Sequence, residues 1–274
     1  YRCWCSVEEL AARRKAAEVA GTAPGYDRRC RTGRAEVVGV PPVLRFAMPL
    51  DGDTVVDDAC RGRITFANAT LDDLVIIKAD GSPTYNFATV VDDALMGITH
   101  IVRGDDLLNS TPKQIVMHRA LGFDPPRFAH LPMVLGPGKQ RLSKRHGAES
   151  VLAYRDRGYL PEALLNAAAR LGWSGGGPDR EVFTVQQVCK DFALEDLTGS
   201  PAVFDAEKLV WLNHEHMGRL SGDELARRIG TYPHSARLVE LVDLHRRSAR
   251  TLVELTAQLA IYFGDRPPLD AALL

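Results

Sequence analysis

Five basic side chains, Lys139, Arg141, Lys144, Arg145 and His146, fall within the single stretch GPGKQRLSKRHGAES, which opens with Gly136, Pro137 and Gly138. Crowding positive charge in this way is costly unless an anion neutralises it. A phosphate chain whose charge shifts during a reaction is the anion that uses such a loop best. Arg supplies a planar two-pronged donor and Lys a compact point charge. The plain alternative is a solvated basic loop, and only structural context separates the two. Sulfur forms a second constellation. Cys3 and Cys5 are one residue apart, and Cys30 follows, with Tyr26 four positions before it. Zinc asks for four tetrahedral ligands, usually thiolates or imidazoles. Three thiols converge if the segment between Cys5 and Cys30 folds back on itself; otherwise they are free thiols of a metal-less insertion. Asp105 and Asp106 either complement the positive end of a helix or belong to a site. Asp92 and Asp93 lie on an expected helix and are not assigned a catalytic role. Trp4, Trp173 and Trp211 invite a reading as stacking platforms, but Trp173 and Trp211 sit in helical patterns and are expected in the core. His214 and His216 are expected at a helix end, and the lone Cys60 and Cys189 are expected to be buried.

The elements that must position these groups follow from pattern. SVEELAARRKAAEVAG carries capping-box spacing at Ser6 and Glu9 and stops at Gly21, which predicts a helix. PPVLRFAMP and CRGRITFAN hold β-favouring runs between turn residues. DLVIIKADGSPTYNF reads as a strand, a turn at Asp80-Gly81 and a helix start. Ile98 to Val102 is a short apolar run of the kind buried parallel strands show. In NSTPKQIVMHRALG, Thr111 is the expected N-cap, Pro112 the first helical residue and Gly122 the stop. RFAHLPMVL is a further strand. Residues 72–135 thus alternate strand and helix as half of a doubly wound α/β sheet does, and ligands bind such sheets outside the carboxyl ends of the strands. Beyond Ser150 the pattern becomes helical, with Pro161, Thr184/Gln187, Asp205 and Ser221/Glu224 as start signals.

Composition narrows the classes. A chain of 274 residues with 45% hydrophobic and 25% charged residues is ordinary globular protein of about two domains. Its net charge of −1 leaves any nucleic-acid contact to local patches. No apolar run reaches the roughly 20 residues a membrane span needs. No signal peptide is present, the first residue is Tyr1, and a fragment or processed product is expected. An odd count of five cysteines argues for a reducing cytosol over a secreted disulfide framework.

RLSKRHG resembles the KMSKS signature of class I aminoacyl-tRNA synthetases in its bacterial glutamyl form. SPTYNFATVVDDALMGITHIVRGDDLLNSTPKQIVMHRALG upstream resembles the same family, as do YRCWCS, GYDRRCR, FDAEKLVWLN and LPEALLNAAARLGW. The resemblance runs through essentially the whole chain. It implies an α/β fold: the second half of a Rossmann-type class I synthetase sheet, with an α+β insertion ahead of it and a mainly helical C-terminal part. The implied division is 1–84 for a connective, acceptor-arm-binding insertion, 85–137 for the catalytic half-sheet, 138–220 for the signature loop and helical stem-contact region, and 221–274 for the start of an anticodon-binding region.

The implied activity joins glutamate to ATP, with Mg2+, as glutamyl-adenylate, then transfers the glutamyl group to the 3′ end of tRNA-Glu. Lys144 matches the signature lysine that steadies the phosphates, flanked by Ser143 and Arg145. Asp106 and Leu107 match the ATP side. Tyr85, Thr89 and Arg103 match the glutamate pocket, although Thr89 stands where some members carry asparagine. Cys3, Cys5, Tyr26 and Cys30 match a zinc knuckle of some members, with Thr32 where others have histidine. Arg28, Arg29 and Arg31 are phosphate contacts for tRNA or a solvated face. A cytoplasmic monomer without membrane contact is expected. The family's HIGH motif does not occur, so this chain by itself is not expected to complete adenylation. An inactive tRNA-binding module derived from such an enzyme is the alternative. Glutaminyl-tRNA synthetase and a shorter relative that modifies a tRNA base are weaker rivals.

Overall fold

The computed structural model describes residues 1–21, 25–33, 35–142, 150–173, 175 and 180–264. They form two compact units, Tyr1–Leu131 and Pro132–Leu274.

The first unit holds two sheets. The smaller joins β1 (Arg2–Cys3), β2 (Val43–Arg45) and β5 (Val75–Ile77) in antiparallel order β1-β2-β5. Helix α1 (Val7–Val19) lies between β1 and β2 in sequence, and its start has the full reciprocal capping box of Ser6 and Glu9. The larger sheet contains β3 (Asp53–Asp58), β4 (Gly62–Ala67), β6 (His100–Gly104) and β7 (Arg127–Leu131), in the order β4-β3-β7-β6. β3 and β4 form an antiparallel hairpin, while β7 runs parallel to both β6 and β3. α2 (Tyr85–Leu95) precedes β6, and α3 (Thr111–Ala120) carries the crossover from β6 to β7, the connection that parallel strands require.

Two expectations change here. The strand expected within Leu74–Lys78 forms, but in the smaller sheet rather than beside β6. Asp73 immediately ahead of it explains why. Its fully buried carboxylate accepts from the Tyr1 hydroxyl at 2.7 Å and the Met48 amide at 3.0 Å, which ties this segment to the N-terminal sheet. Thr111 is not an N-cap. A 3₁₀ turn over Asp105–Ser110 runs straight into α3, so Ser110 is already helical at φ −85°, ψ −23°, and no extended cap residue exists.

Period-two alternation builds two layers under the larger sheet. Val56, Ile101 and Phe128 make an apolar cluster with Ile115 of α3. Two residues on along each strand stand Asp58, Arg103 and His130. Arg103 and His130 are register partners, as are Ile101 and Phe128.

The second unit is mainly helical: α4 (Val151–Asp156), α5 (Pro161–Ala169), α6 (Val185–Asp191), α7 (Ala206–Arg219), α8 (Gly222–Ile229), α9 (Ala236–His245) and α10 (Leu252–Phe263). The start signals at Pro161, Thr184/Gln187, Asp205 and Ser221/Glu224 all open helices. Leu160, Met217, Leu225, Leu238, Val242, Leu255 and Leu259 are among its fully buried core residues. Gly158 sits at φ +81° with the Val253 amide only 2.5 Å from where a Cβ would stand, so only glycine allows this approach of the start of α10. Trp173 is in the core at 3% exposure, but Trp211 is 38% exposed on α7. Cys189 is exposed and Cys60 half-buried, against the expectation for both. α6 has no buried residue, which leaves Cys189 no interior to enter.

Candidate functional site

Arg103 is the centre of the first site. Alternation along β6 turns it to the side of Ile101, where a bare guanidinium would be costly. Its Nε donates to His130 Nε2 at 3.1 Å, and its Nη2 donates to Thr111 Oγ1 and Gln114 Oε1, both at 2.8 Å. Gln114 in turn donates to Asn86 Oδ1 at 3.2 Å. An arginine nitrogen only donates, so His130 Nε2 must accept and the imidazole is neutral. Its proton then lies on Nδ1 and is given to Asp58 Oδ2 at 2.5 Å.

The titration directions agree with this assignment. Burial pushes the His130 imidazole below its usual range, outweighing the opposing pull of Asp58. Burial tends to raise the Asp58 carboxyl, but hydrogen bonds from the His130 ring and amide and from the Arg61 and Cys60 amides hold it below the usual carboxylate range. Arg103 is itself lowered by burial, with Tyr85 and Asp93 pulling the other way. Asp58, Gln114 and His130 were not singled out from sequence, and Thr111 was singled out only as a helix cap. For Asp58 and His130 the signal was present: β3 and β7, like β6 with Arg103, each place a polar residue two positions beyond an apolar core residue.

Around this centre, Tyr85 opens α2 and is 58% exposed. Thr89 is half-buried one turn later, on the same helix face. Asp106 and Leu107 lie in the 3₁₀ turn after β6. The Leu107 carbonyl faces Arg103 Nη2 at 3.5 Å. Asp105 forms an ion pair with Arg61. Gly104 leaves room for the Asp106 carboxylate, which lies 2.6 Å from where a Cβ would stand. Tyr85, Thr89, Arg103, Asp106 and Leu107 thus belong to one end of β6 and the helices flanking it.

The lead-in to the basic loop is a tight turn in the second unit. The Gly136 amide donates to the Gln140 carbonyl at 2.8 Å, Lys139 adopts φ +59°, and Leu142 N donates to Val134 O at 3.0 Å. Ser143, Lys144 and Arg145 lie outside the described residues.

The sulfurs converge. Cys3, Cys5 and Cys30 have ligand atoms within 4.8 Å of one another. The Tyr26 oxygen is 3.3 Å from Cys3 Sγ and 4.0 Å from Cys5 Sγ, and accepts from the Cys30 amide at 3.2 Å. Thiolates bound to one zinc at about 2.3 Å lie about 3.8 Å apart, and the Cys5–Cys30 separation is 3.7 Å. The donor set therefore fits zinc in both chemistry and spacing. Arg45 stacks on the Tyr26 ring at 3.6 Å. Burial raises the Cys3 thiol, but hydrogen bonding to Tyr26 and Cys5 and the nearby Arg45 bring it down to about 7. Burial and the neighbouring thiols Cys30 and Cys3 push Cys5 up to about 12.

The flanking arginines are used internally. Arg28 donates to the Leu71 carbonyl at 2.7 Å, Arg31 reaches Asp73 at 3.5 Å, and Arg29 pairs with Asp27 at 3.3 Å.

A family model described as tRNA synthetases class I (E and Q), catalytic domain, matches residues 1–211. The chain belongs to this family. Among curated relatives of this synthetase chain, a glutamate–tRNA ligase of Thermodesulfovibrio yellowstonii is 57% identical over 217 residues, covering 79% of this chain and 46% of that protein. Glutamate–tRNA ligase 1 of Alkalilimnicola ehrlichii is 49% identical over 275 residues, covering 97% and 58%. Among solved structures, a glutamate tRNA ligase from Elizabethkingia meningosepticum in complex with its amino acid superposes with a TM-score of 0.83 at 30% identity, over 99% of this chain and 62% of that one. The synthetase chain therefore spans roughly half to three-fifths of the curated relatives' length.

Proposed function

We propose that the protein carrying this chain is a glutamate–tRNA ligase, which activates glutamate with ATP and Mg2+ and passes the glutamyl group to tRNA-Glu. The observation that carries this reading is Arg103, a half-buried and immobilised cation in a chain of this family. Its Nε and both hydrogens of Nη2 are committed to His130, Thr111 and Gln114. None of these bonds uses Nη1. A substrate side-chain carboxylate is therefore met by Nη1, and the second donor is the hydroxyl of Tyr85, which sits close enough to act on the Arg103 charge. The two-pronged recognition expected of one guanidinium becomes a two-residue fork. Thr89 borders the same pocket, and Asp106 and Leu107 border ATP.

Lys144, with Ser143 and Arg145, meets charge that grows on the leaving pyrophosphate. An interaction stronger in the transition state than in the ground state raises the rate of the chemical step. Cys3, Cys5 and Cys30 hold a structural zinc with Tyr26 in the fourth position, and the metal would fix the knuckle rather than take part in the reaction. None of the described helices is long and apolar enough to cross a membrane, and a cytoplasmic monomer is the setting we assign. Glutamate-dependent exchange of pyrophosphate into ATP tests the reading. Lys144→Ala is expected to slow exchange about 10²–10³-fold while Lys139→Ala has little effect. Equal losses would reduce the loop to a generic basic patch.

A further inference from the structure

A cavity of about 450 Å³ lies between α7 and the segment linking α9 to α10. Its walls are Val210, Trp211 and His214 on one side and Arg247, Ser248 and Arg250 on the other. Trp211 is exposed where its helical pattern led us to expect core. Lys208 covers one face of its ring, with Nζ 4.1 Å from the ring centroid, and is itself tied to Glu181 by an ion pair. The linking segment is anchored firmly. His214 Nδ1 bonds the Ala249 carbonyl at 3.1 Å, Asn213 donates to the Arg250 carbonyl at 2.6 Å, and the Arg250 amide donates to Glu254 at 2.7 Å. Arg247 and Arg250 are exposed, and their guanidinium groups have no carboxylate partner among the described residues. Arg61 and Arg228, by contrast, are each paired with a carboxylate.

A rigid frame that holds an aromatic plate beside two unpaired guanidiniums matches a nucleotide: the ring takes a base and the cations take its phosphate. A bare anion would gain nothing from Trp211 and Val210. Glu207, the one acid among the described residues that line the cavity, repels an acidic peptide but accepts from base amino groups or ribose hydroxyls. We infer that this cavity receives one unpaired RNA nucleotide, its base against Trp211 and its phosphate on Arg247 and Arg250. The inference rests on the reading that the protein handles tRNA, and it places a specific contact in the second unit. The base must be unpaired, since a base in a duplex offers no free face.

The test is a titration of the 274-residue chain with tRNA-Glu transcript over a series of salt concentrations. Trp211→Ala is expected to weaken binding about 5- to 100-fold, the range for loss of one stacked base, and Trp211→Phe to restore most of it. The pair Arg247→Ala with Arg250→Ala is expected to lower the slope of log affinity against log salt by about 1–2. Among the described residues these guanidinium groups make no hydrogen bond or ion pair, so they carry the test even if Trp211→Ala misfolds. Variants that melt like the parent yet bind with unchanged affinity and slope overturn the site and leave the tRNA reading standing. A parent chain that binds no tRNA overturns both. Displacement of tRNA by poly-glutamate as readily as by an unstructured oligoribonucleotide overturns the nucleotide class.

Discussion

The Arg103 cluster and the sulfur knuckle both gather reactive groups out of water, yet they are stabilised in opposite ways. In the cluster the Arg103 guanidinium donates to the His130 imidazole, the imidazole to the Asp58 carboxylate, and that carboxylate also accepts from the His130 amide. The order is internal. In the knuckle three thiols and a phenol face one another, and the neighbours drive Cys3 and Cys5 in opposite directions. A buried polar network that satisfies itself is rigid before substrate arrives. Thiols gathered at zinc-ligand spacing are a set that a cation would complete.

The largest expected effect therefore belongs to the knuckle. Purified protein should hold about one zinc per chain, and Cys30→Ser well under one. Structural zinc supplies on the order of 10 kcal/mol in small zinc domains. Chelation should accordingly raise hydrogen exchange across residues 1–45 while leaving α7–α10 protected. Equal exchange with and without chelator would show that the knuckle, like the cluster, is ordered without metal. Next comes the cluster itself. Arg103→Ala in the enzyme that carries this chain should cost about 2–5 kcal/mol, the range for loss of a buried charge-paired contact, read as a rise in the glutamate KM with ATP binding nearly unchanged. Unaltered glutamate kinetics would remove Arg103 from the pocket.

His130→Gln should cost less, about 1–2 kcal/mol in glutamate affinity, because Gln retains an acceptor but loses the donor to Asp58. It also has a pH signature. The folded chain resists protonating His130, whereas the unfolded chain binds that proton near pH 6.5. Stability is then complete above that pH and falls as pH drops below it, by up to about 1.4 kcal/mol per pH unit. Buried His216 in the second unit is lowered in the same direction, by burial first and by Arg219, so His130→Gln should remove only part of the slope. Below about pH 4, protonation of Asp58 takes away a further share. Acid denaturation with an unchanged slope in His130→Gln would mean that the imidazole is charged in the fold.

The smallest effect calibrates the others. Arg228 grips Glu162 by a two-pronged pair at 2.9 and 2.7 Å, the same chemistry near the surface. Arg228→Ala should cost no more than about 1 kcal/mol in thermal or denaturant melts. A larger loss would mean that exposure is not what separates this pair from the Arg103 cluster.

Much of the local structure was legible in the residues because its causes are local. Capping boxes at Ser6, Thr184 and Ser221 and the Pro161 start mark helices through bonds spanning three residues. The Cys-x-Cys and later Cys spacing, with Tyr26, named the four groups that converge. Arg103 and Tyr85 were recognisable by resemblance. Other features depend on contacts between distant segments. Val75–Ile77 joined the smaller sheet because the buried Asp73 carboxylate is bonded to Tyr1 and Met48. Thr111 lost its capping role because a preceding turn was already helical, and its hydroxyl went to Arg103. The register of β6 against β7 set Arg103 beside His130, and the end of β3 brought Asp58 to His130. Trp211 has a helical period that suits a core, but a period cannot say whether a helix face has a neighbour, and only the tertiary structure left that ring beside Arg247 and Arg250.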